Sequence, residues 1–228
     1  MKYLSTILIC IFLLIGGCKS GGGGNADEFI PGAGGEDYTD DDYKPDFRMW
    51  ETFETPFADA DKTEVGDINM CWAAAAANLL TWAGWTADED DAFDIFKTHF
   101  EDKPGYVYDA LKYYFANYEA GVSAEMVTVR ETRSHMLLDF IVSAVHKGKG
   151  AAIKIANPAN KFGHFLTIYG YRYNADEDSF VLYFTDSDDG VHQMRQFEVK
   201  WDDADNRWEI QYLYRDYYLV YVLSLARS

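Results

Sequence analysis

The stretch Asn69-Met70-Cys71-Trp72-Ala73-Ala74-Ala75-Ala76-Ala77-Asn78 predicts the start of a helix and places a cysteine in its first turn. Asn69 belongs to the residue types that cap helices, and Gly84 is expected to end this helix, which gives a span of about 70–84. A thiol in the first turn lies near the positive end of the helix dipole and near unpaired N–H groups, which lower its pKa and favour the thiolate. The same N–H groups can bind an oxyanion. An inert, tightly packed cysteine is the alternative interpretation of Cys71.

Outward from this helix, the chain predicts helices first and strands later. Three further helical segments span about 88–100, 106–117 and 134–147, and Ser134 is expected to cap the last of them. After Gly150, segments rich in Val, Ile, Phe and Tyr predict strands at 151–156, 164–173, 180–186, 193–200, 208–214 and 218–225. Helices followed by a run of antiparallel strands indicate an α+β domain.

His164 stands at the predicted start of a strand that leads into a hairpin. The polar residues around Ala175 have the composition of a turn, and a hairpin centred there would place His164 opposite Asp186. Asp188 would follow on the same face of the sheet. A carboxylate beside the imidazole would fix its tautomer and stabilise its charged form. The alternative is that residues 185–190 form only a polar turn.

The order of these groups along the chain narrows the class of protein. A cysteine that opens a helix, a histidine that opens a strand and an acid on the next strand is the arrangement of papain-like peptidases, which this chain resembles. The blocks that carry a closer resemblance are Lys62-Thr63, the helix Cys71–Trp82, Gly163-His164 and Thr185-Asp186-Ser187-Asp188. They are similar to blocks of the IdeS/Mac family of bacterial immunoglobulin-degrading cysteine endopeptidases. The similarity is weak over 88–150, so no substrate-binding exosite is carried over there.

This resemblance implies a fold and a set of roles. The fold would be papain-like, with N-terminal helices, the nucleophile at a helix start and an antiparallel sheet that carries the histidine and the acid. Cys71 would be the nucleophile and His164 the general base. Asp186, with help from Asp188, would orient the imidazole, and Lys62 would supply an oxyanion-hole donor. Apart from the resemblance, Lys62 is an ordinary lysine in an acidic segment. The implied activity is hydrolysis of peptide bonds in a host protein, with immunoglobulin as the substrate that the family suggests.

The N-terminal segment predicts export and lipid anchoring. An apolar stretch over 4–15 follows Lys2, is too short to span a bilayer and has the layout of a secretory signal covering residues 1–17. Ile15-Gly16-Gly17-Cys18 resembles the lipobox of bacterial lipoproteins, in which the cysteine carries the lipid; the alternative is an ordinary signal with an incidental cysteine. Residues 18–46 are rich in Gly and Asp and predict a flexible tether, and residues 47–228 are the predicted peptidase domain. The chain is therefore predicted to be a bacterial lipoprotein anchored to a membrane, either at the outer membrane or at the cell surface.

Composition argues against other classes of function. The net charge is −18, and nucleic acid is not an expected partner because phosphate binding needs clustered Lys and Arg. The five histidines are scattered along the chain without a pair at ligand spacing, so no metal site is predicted. No Gly-rich phosphate loop follows a predicted strand, and no cofactor is expected. Once Cys10 leaves with the signal and Cys18 carries lipid, Cys71 is the one remaining thiol, which excludes an internal disulfide.

Three other functions use the same residues and stay open. An NlpC-type amidase that acts on peptidoglycan would also have a helix-opening cysteine and a strand histidine. A papain-like transglutaminase would transfer the acyl group to an amine in preference to water. A binding lipoprotein without catalytic activity would keep the fold and lack a reactive thiol.

Overall fold

Helices occupy the first part of the folded chain and strands most of the second. In the computed structural model the described residues are 26–29, 57–62, 64, 66–122, 127–130, 136–146, 149–157, 163–174, 179–188, 190–213, 215–226 and 228. The helices are α1 (Cys71–Trp82), α2 (Glu89–Phe100), α3 (Val107–Asn117) and α4 (Met136–His146). Each begins and ends within two residues of its predicted span. The Ser134 cap predicted for α4 lies outside the described residues.

The alanine run of α1 allows the helix to lie close to the sheet. Nearly the whole of α1 is buried, from Trp72 to Leu80 without interruption. Where the C-terminal part of α1 meets the sheet, the strand also lacks a side chain: a Cβ added at Gly150 would lie 2.7 Å from Leu79 Cδ2 and 2.7 Å from the Trp82 ring. This close packing fixes α1, and with it Cys71, against the strands.

The C-terminal end of α1 is as predicted, whereas the N-terminal end is not. Gly84 has a φ of +80°, and the backbone closes around it with the hydrogen bonds of a Schellman motif. Asn69 does not cap the helix, because the N-cap residue is Met70, which makes no side-chain capping bond. Asn69 instead donates its backbone N–H to Asp102 Oδ1 at 2.7 Å and its side-chain amide to Asp102 Oδ2 at 3.3 Å. A charged acceptor on a distant loop has displaced the local capping interaction.

The strands form one antiparallel sheet that closes into a barrel. They are β1 (Ala26–Phe29), β2 (Val127–Arg130), β3 (Gly150–Ala156), β4 (Gly163–Asn174), β5 (Ser179–Thr185), β6 (Arg195–Asp202), β7 (Arg207–Tyr212) and β8 (Arg215–Leu225). The order β4-β3-β8-β7-β6-β5 returns to β4, because β5 also pairs with β4. β1 is added beside β4 and β2 beside β8. The α+β prediction and its six strands are confirmed, whereas β1 and β2 were not predicted.

β1 lies inside the segment that was predicted to be a flexible tether. Its backbone pairs with residues 170–173 of β4, so these four residues belong to the sheet and not to a spacer. The partner β3 covers the same edge of β4 only as far as Ile168, which leaves N–H and C=O groups beyond it for β1 to pair with. The rest of the predicted tether, the predicted signal and Cys18 lie outside the described residues. No helix in the described part of the chain has the length and apolarity needed to cross a membrane.

The β4–β5 hairpin has a different register from the predicted one. The predicted hairpin pairs Asn174 with Asp176, whereas in the structure Asn174 pairs with Ser179, a shift of three residues. A shift by an odd number of residues would by itself turn the following acids to the opposite face of the sheet. A bulge at Tyr169 then reduces the shift from three residues to two, so that Thr167 pairs with Thr185. Because side chains alternate with a period of two, a shift of two residues leaves the acids on the predicted face of the sheet. The predicted register is wrong, but the predicted face is right.

Candidate active site

Cys71 is the first residue of α1 and lines an open cleft. The thiol is half-buried, and it is the one free cysteine in the described part of the chain. Since the N-cap residue Met70 makes no side-chain capping bond, no capping side chain occupies the N–H groups of the first turn. The predicted position of the thiol at the positive end of a helix is therefore the one observed.

His164 is the second residue of β4 and forms a close pair with Asp186, which follows β5. The distance between His164 Nε2 and Asp186 Oδ1 is 2.6 Å. The imidazole also hydrogen bonds with the Cys71 thiol. Because Nε2 is occupied by the carboxylate, Nδ1 is the ring nitrogen left for the sulfur. The structure thus brings together the three residues that the sequence selected from segments far apart in the chain.

The Asp186 carboxylate has a complete set of donors. The side chain is 1% exposed. Besides His164, its Oδ1 accepts the Asp188 N–H at 3.0 Å, and its Oδ2 accepts the hydroxyl of Tyr212. Burial alone would raise the pKa of Asp186, but the bond and charge of His164, followed by the Tyr212 hydroxyl and the Asp188 N–H, lower it to about 2. The carboxylate is therefore ionised at neutral pH and well into the acidic range.

The charges of Cys71 and His164 stabilise each other. Burial would raise the pKa of the Cys71 thiol, but the hydrogen bond and charge of His164, a backbone bond from Phe165 and the charge of Lys62 together bring it below its ordinary value. Burial would likewise lower the pKa of His164, yet Asp186 and Cys71 raise it to about 10. These opposite shifts favour a thiolate–imidazolium pair near neutral pH.

Lys62 and Asp188 form an ion pair on one side of this group. Lys62 Nζ lies 2.5 Å from Asp188 Oδ1 and donates to the carbonyl oxygen of Ile68 at 2.9 Å. The second oxygen of Asp188 is 3.9 Å from His164 Nδ1, too long for a hydrogen bond. Asp188 therefore binds Lys62 directly and is linked to His164 through its backbone N–H, which donates to Asp186. This refines the prediction that Asp188 helps to orient the imidazole.

Asn78 connects the elements around the site and was not singled out in the sequence. This buried amide accepts the Ala60 N–H at 2.7 Å and donates to the hydroxyls of Thr167 at 3.3 Å and Thr185 at 3.4 Å. It thereby joins α1 to β4, β5 and the segment that carries Lys62. The available signal was a single amide within an otherwise apolar helix, because a buried amide needs hydrogen-bond partners. Tyr212, by contrast, is one of many aromatic residues in the strands and gave no signal.

The cleft around Cys71 has a volume of about 420 Å³ and is open to solvent. One wall includes Trp72 with Pro104 and Gly105, and the indole N–H of Trp72 donates to the Lys103 carbonyl at 3.0 Å. The β7–β8 hairpin contributes Tyr212 and Tyr217 from its strands and Leu213 from its turn to the same cleft. A ligand in solvent therefore has direct access to the Cys71 side of the cleft.

The ligand atoms of His164, Asp186 and Asp188 also lie within 4.8 Å of one another, which is the spacing of a metal site. No metal site was predicted, because the histidines are scattered along the chain. The set found here has only one histidine, and its other two ligands are carboxylates. Their hydrogen bonds already account for it, since Asp186 binds the imidazole and Asp188 binds Lys62. A second acidic set in the described residues, at the β6–β7 turn, surrounds Arg207, which forms ion pairs with two of its members.

A thiol at a helix start, an imidazole at a strand start and a buried carboxylate after the next strand define the arrangement of papain-like cysteine peptidases. The chain belongs to the Peptidase_C39-like family, whose model matches residues 48–212. This family lies within the papain-like cysteine peptidase clan and indicates a cysteine peptidase. No curated protein matches the chain.

Proposed function

We propose that this protein is a cysteine endopeptidase in which Cys71 attacks the substrate and His164 carries the proton. The observation that supports this most directly is the continuous set of contacts from the Cys71 thiol through His164 to the buried Asp186. A binding protein would gain nothing from a thiolate–imidazolium pair beside an open cleft, because such a pair increases nucleophilicity.

In the proposed reaction the Cys71 thiolate attacks the carbonyl carbon of a peptide bond, and the carbonyl oxygen becomes an oxyanion. The His164 imidazolium then protonates the departing amine as the C–N bond breaks, which leaves a thioester on Cys71. Neutral His164 next removes a proton from water, and the resulting hydroxide attacks the thioester. The carboxylic acid product leaves, and the proton on His164 restores the starting ion pair.

Lys62 and the backbone N–H of Cys71 are the proposed donors to the oxyanion. An ammonium group has three N–H donors, and Asp188 and the Ile68 carbonyl use two of those of Lys62. One donor remains, on a side chain that lines the cleft. Its two existing bonds hold the ammonium in place, so little reorganisation is needed when negative charge develops on the substrate.

The finer parts of the proposal rest on the sequence. The segment ending at Cys18 supports attachment of the enzyme to a bacterial outer membrane or cell surface through lipid. The blocks around Lys62, Cys71, His164 and Asp186 resemble those of the IdeS/Mac family and support a host protein, with immunoglobulin first, as the substrate. Since the family match indicates only a cysteine peptidase, both points need direct tests.

The test is to incubate the full chain with IgG, IgA and IgM and, in parallel, with purified peptidoglycan, and to identify products by mass. Cys71→Ala should abolish cleavage while its circular dichroism spectrum is unchanged. Cys18→Ala is the matched cysteine control, because it should keep the activity and lose membrane attachment. Cleavage of an antibody that persists in Cys71→Ala would overturn the proposed nucleophile.

Two other products would redirect the assignment of function. Cleavage of peptidoglycan peptides without cleavage of antibody would favour an NlpC-type amidase. Transfer of the acyl group to an added primary amine in preference to water would favour a transglutaminase. Slow alkylation of Cys71 at neutral pH, with no product from any substrate, would favour a binding protein.

A further inference from the structure

Lys154 is the one charged residue in the buried strand β3, whose sequence is Gly-Ala-Ala-Ile-Lys-Ile-Ala. The other six residues of the strand are buried, and Lys154 is partly exposed. Lysine in such a strand costs desolvation unless its ammonium group reaches solvent or a partner. The position of that ammonium group is therefore informative.

The ammonium group of Lys154 reaches the cleft immediately beside the histidine. Its Nζ lies 4.8 Å from the ring centre of Tyr106 and 5.5 Å from that of Phe165, so two aromatic faces support it. The end of the side chain also crosses Gly163: a Cβ built at Gly163 would lie 3.2 Å from Nζ. Gly163 directly precedes His164, and Lys154 and His164 line the same cleft.

Lys154 differs from the other charged groups of the cleft because they are paired with one another. Lys62 binds Asp188, and His164 binds Asp186. Among the described residues no carboxylate forms an ion pair with Lys154, and its observed contacts are the two rings. Aromatic faces attract a cation but do not accept its N–H groups strongly, so the ammonium keeps donors for an anion.

We propose that Lys154 is a substrate-binding residue that recognises a carboxylate near the scissile bond. The proposal rests on the proposed peptidase function, because it assigns a preference to that same cleft. The carboxylate has two possible sources, an Asp or Glu side chain within the substrate or a free C-terminus. The net charge of the protein is −18, so its overall field repels acidic peptides and a preference for them must come from a local contact.

The experiment uses the full chain with synthetic peptides built around a cleavage site found in a peptide library. At each position within about four residues of the scissile bond, Glu is compared with Gln, and a C-terminal acid is compared with its amide. The wild-type enzyme should prefer the carboxylate at one position by about tenfold in kcat/KM, the effect of one charge-assisted hydrogen bond. The peptide pair that shows the preference identifies the source of the carboxylate.

Lys154→Met keeps the length of the side chain and removes its charge. It should reduce the preference to near one, because kcat/KM falls by about tenfold more for the carboxylate peptide than for its Gln or amide counterpart. Lys154→Arg should retain part of the preference, and Lys200→Met, an exposed lysine on β6, is the matched control that should retain all of it. A purely structural role would lower kcat/KM for both peptides of a pair equally, and that result would overturn the proposal.

Binding to the Cys71→Ala variant, measured by calorimetry with Glu/Gln and acid/amide peptide pairs taken from the library, separates the two claims because it needs no cleavage site. One result is that the carboxylate peptide binds selectively, that Lys154→Met abolishes this binding and that the wild-type enzyme hydrolyses no peptide. This would contradict the peptidase function and support the carboxylate subsite. Hydrolysis by the wild-type enzyme with no carboxylate preference at any position would contradict the carboxylate subsite and support the peptidase function.

Discussion

The imidazole Nε2 of His164 lies 2.6 Å from the carboxylate Oδ1 of Asp186, and the Asp186 side chain is 1% exposed. A buried carboxylate of this kind is stable only with its partners in place, and removal of its charge leaves an imidazolium without compensation. The contact therefore couples the protonation of His164 to the fold, and changes at Asp186 should be visible in both activity and stability.

Asp186→Asn should lower kcat/KM by about 10²–10⁴-fold, because an amide can hold the ring but cannot stabilise the imidazolium. Asp186 raises the pKa of His164, which lies at about 10. Without the carboxylate that pKa should fall, so the alkaline limb of the pH–rate profile should move to lower pH. An alkaline limb that stays in place would show that Asp186 does not control the protonation of His164.

The same carboxylate should make the fold sensitive to acid. The pKa of Asp186 is about 2 in the folded protein, below the value of about 3.9 for an unfolded chain. The ionised form therefore stabilises the fold above pH of about 4, and this contribution is lost as the pH falls toward 2. The difference between the two pKa values corresponds to about 2–3 kcal/mol.

Urea unfolding of the wild-type protein and of Asp186→Asn at pH 6 and pH 2.5 measures this contribution. The variant should start less stable and lose less stability on acidification, because it has no carboxylate to protonate at this position. Equal losses in the two proteins would contradict the assignment. The raised pKa of His164 arises from the same ion pair, so its contribution to the free energy of unfolding is not added to that of Asp186.

The sequence predicted the helices, six strands and the order of the reactive groups because these depend on local signals. The alanine run, a strong helix former, places α1, and Gly84 ends it because only glycine adopts a φ of +80° without strain. The contact between His164 and Asp186 was also predicted, but from an incorrect register. It exists because the bulge at Tyr169 restores the face that the hairpin turn alone would have reversed.

The parts that the sequence did not predict depend on partners far along the chain. Asn69 has the composition of a cap, yet Asp102 engages it from another loop. The donor from Tyr212 to Asp186 and the position of Lys154 beside Gly163 arise only when the barrel brings distant strands together. Local propensity contains no information on such contacts.

Lys62→Met should lower kcat by about 10²-fold with a smaller effect on KM, because a donor to the oxyanion acts mainly in the transition state. The charge of Lys62 also lowers the pKa of Cys71, so alkylation of the thiol by iodoacetamide should shift to higher pH. Lys97→Met, which removes a partly exposed lysine paired with Glu64 outside the cleft, is the control and should change neither measurement. A rise in KM with kcat unchanged would instead assign Lys62 to substrate binding.

Tyr212→Phe should reduce kcat by about tenfold, since it removes one donor from the buried Asp186 while keeping the ring. The pKa of Asp186 should rise, because the Tyr212 hydroxyl is one of the groups that lower it. Tyr217→Phe, on the same side of the cleft, is the matched control. Equal effects of the two substitutions on kcat and on the acid dependence of stability would show that the hydroxyl of Tyr212 has no special role.

Asn78→Ala should destabilise the protein by about 2–4 kcal/mol, seen as a lower urea midpoint with an unchanged slope. The loss follows from burial: the Ala60 N–H and two threonine hydroxyls lose a partner that water cannot easily replace. Because Asn78 also holds the segment that carries Lys62, kcat should fall even at temperatures where the variant is folded. Asn117→Ala, an exposed amide whose side chain donates to the Tyr113 carbonyl, is the comparison and should cost less than about 1 kcal/mol. A stable variant with reduced kcat would show that Asn78 positions the site without supporting the core, and equal midpoints for the two variants would contradict the proposed network.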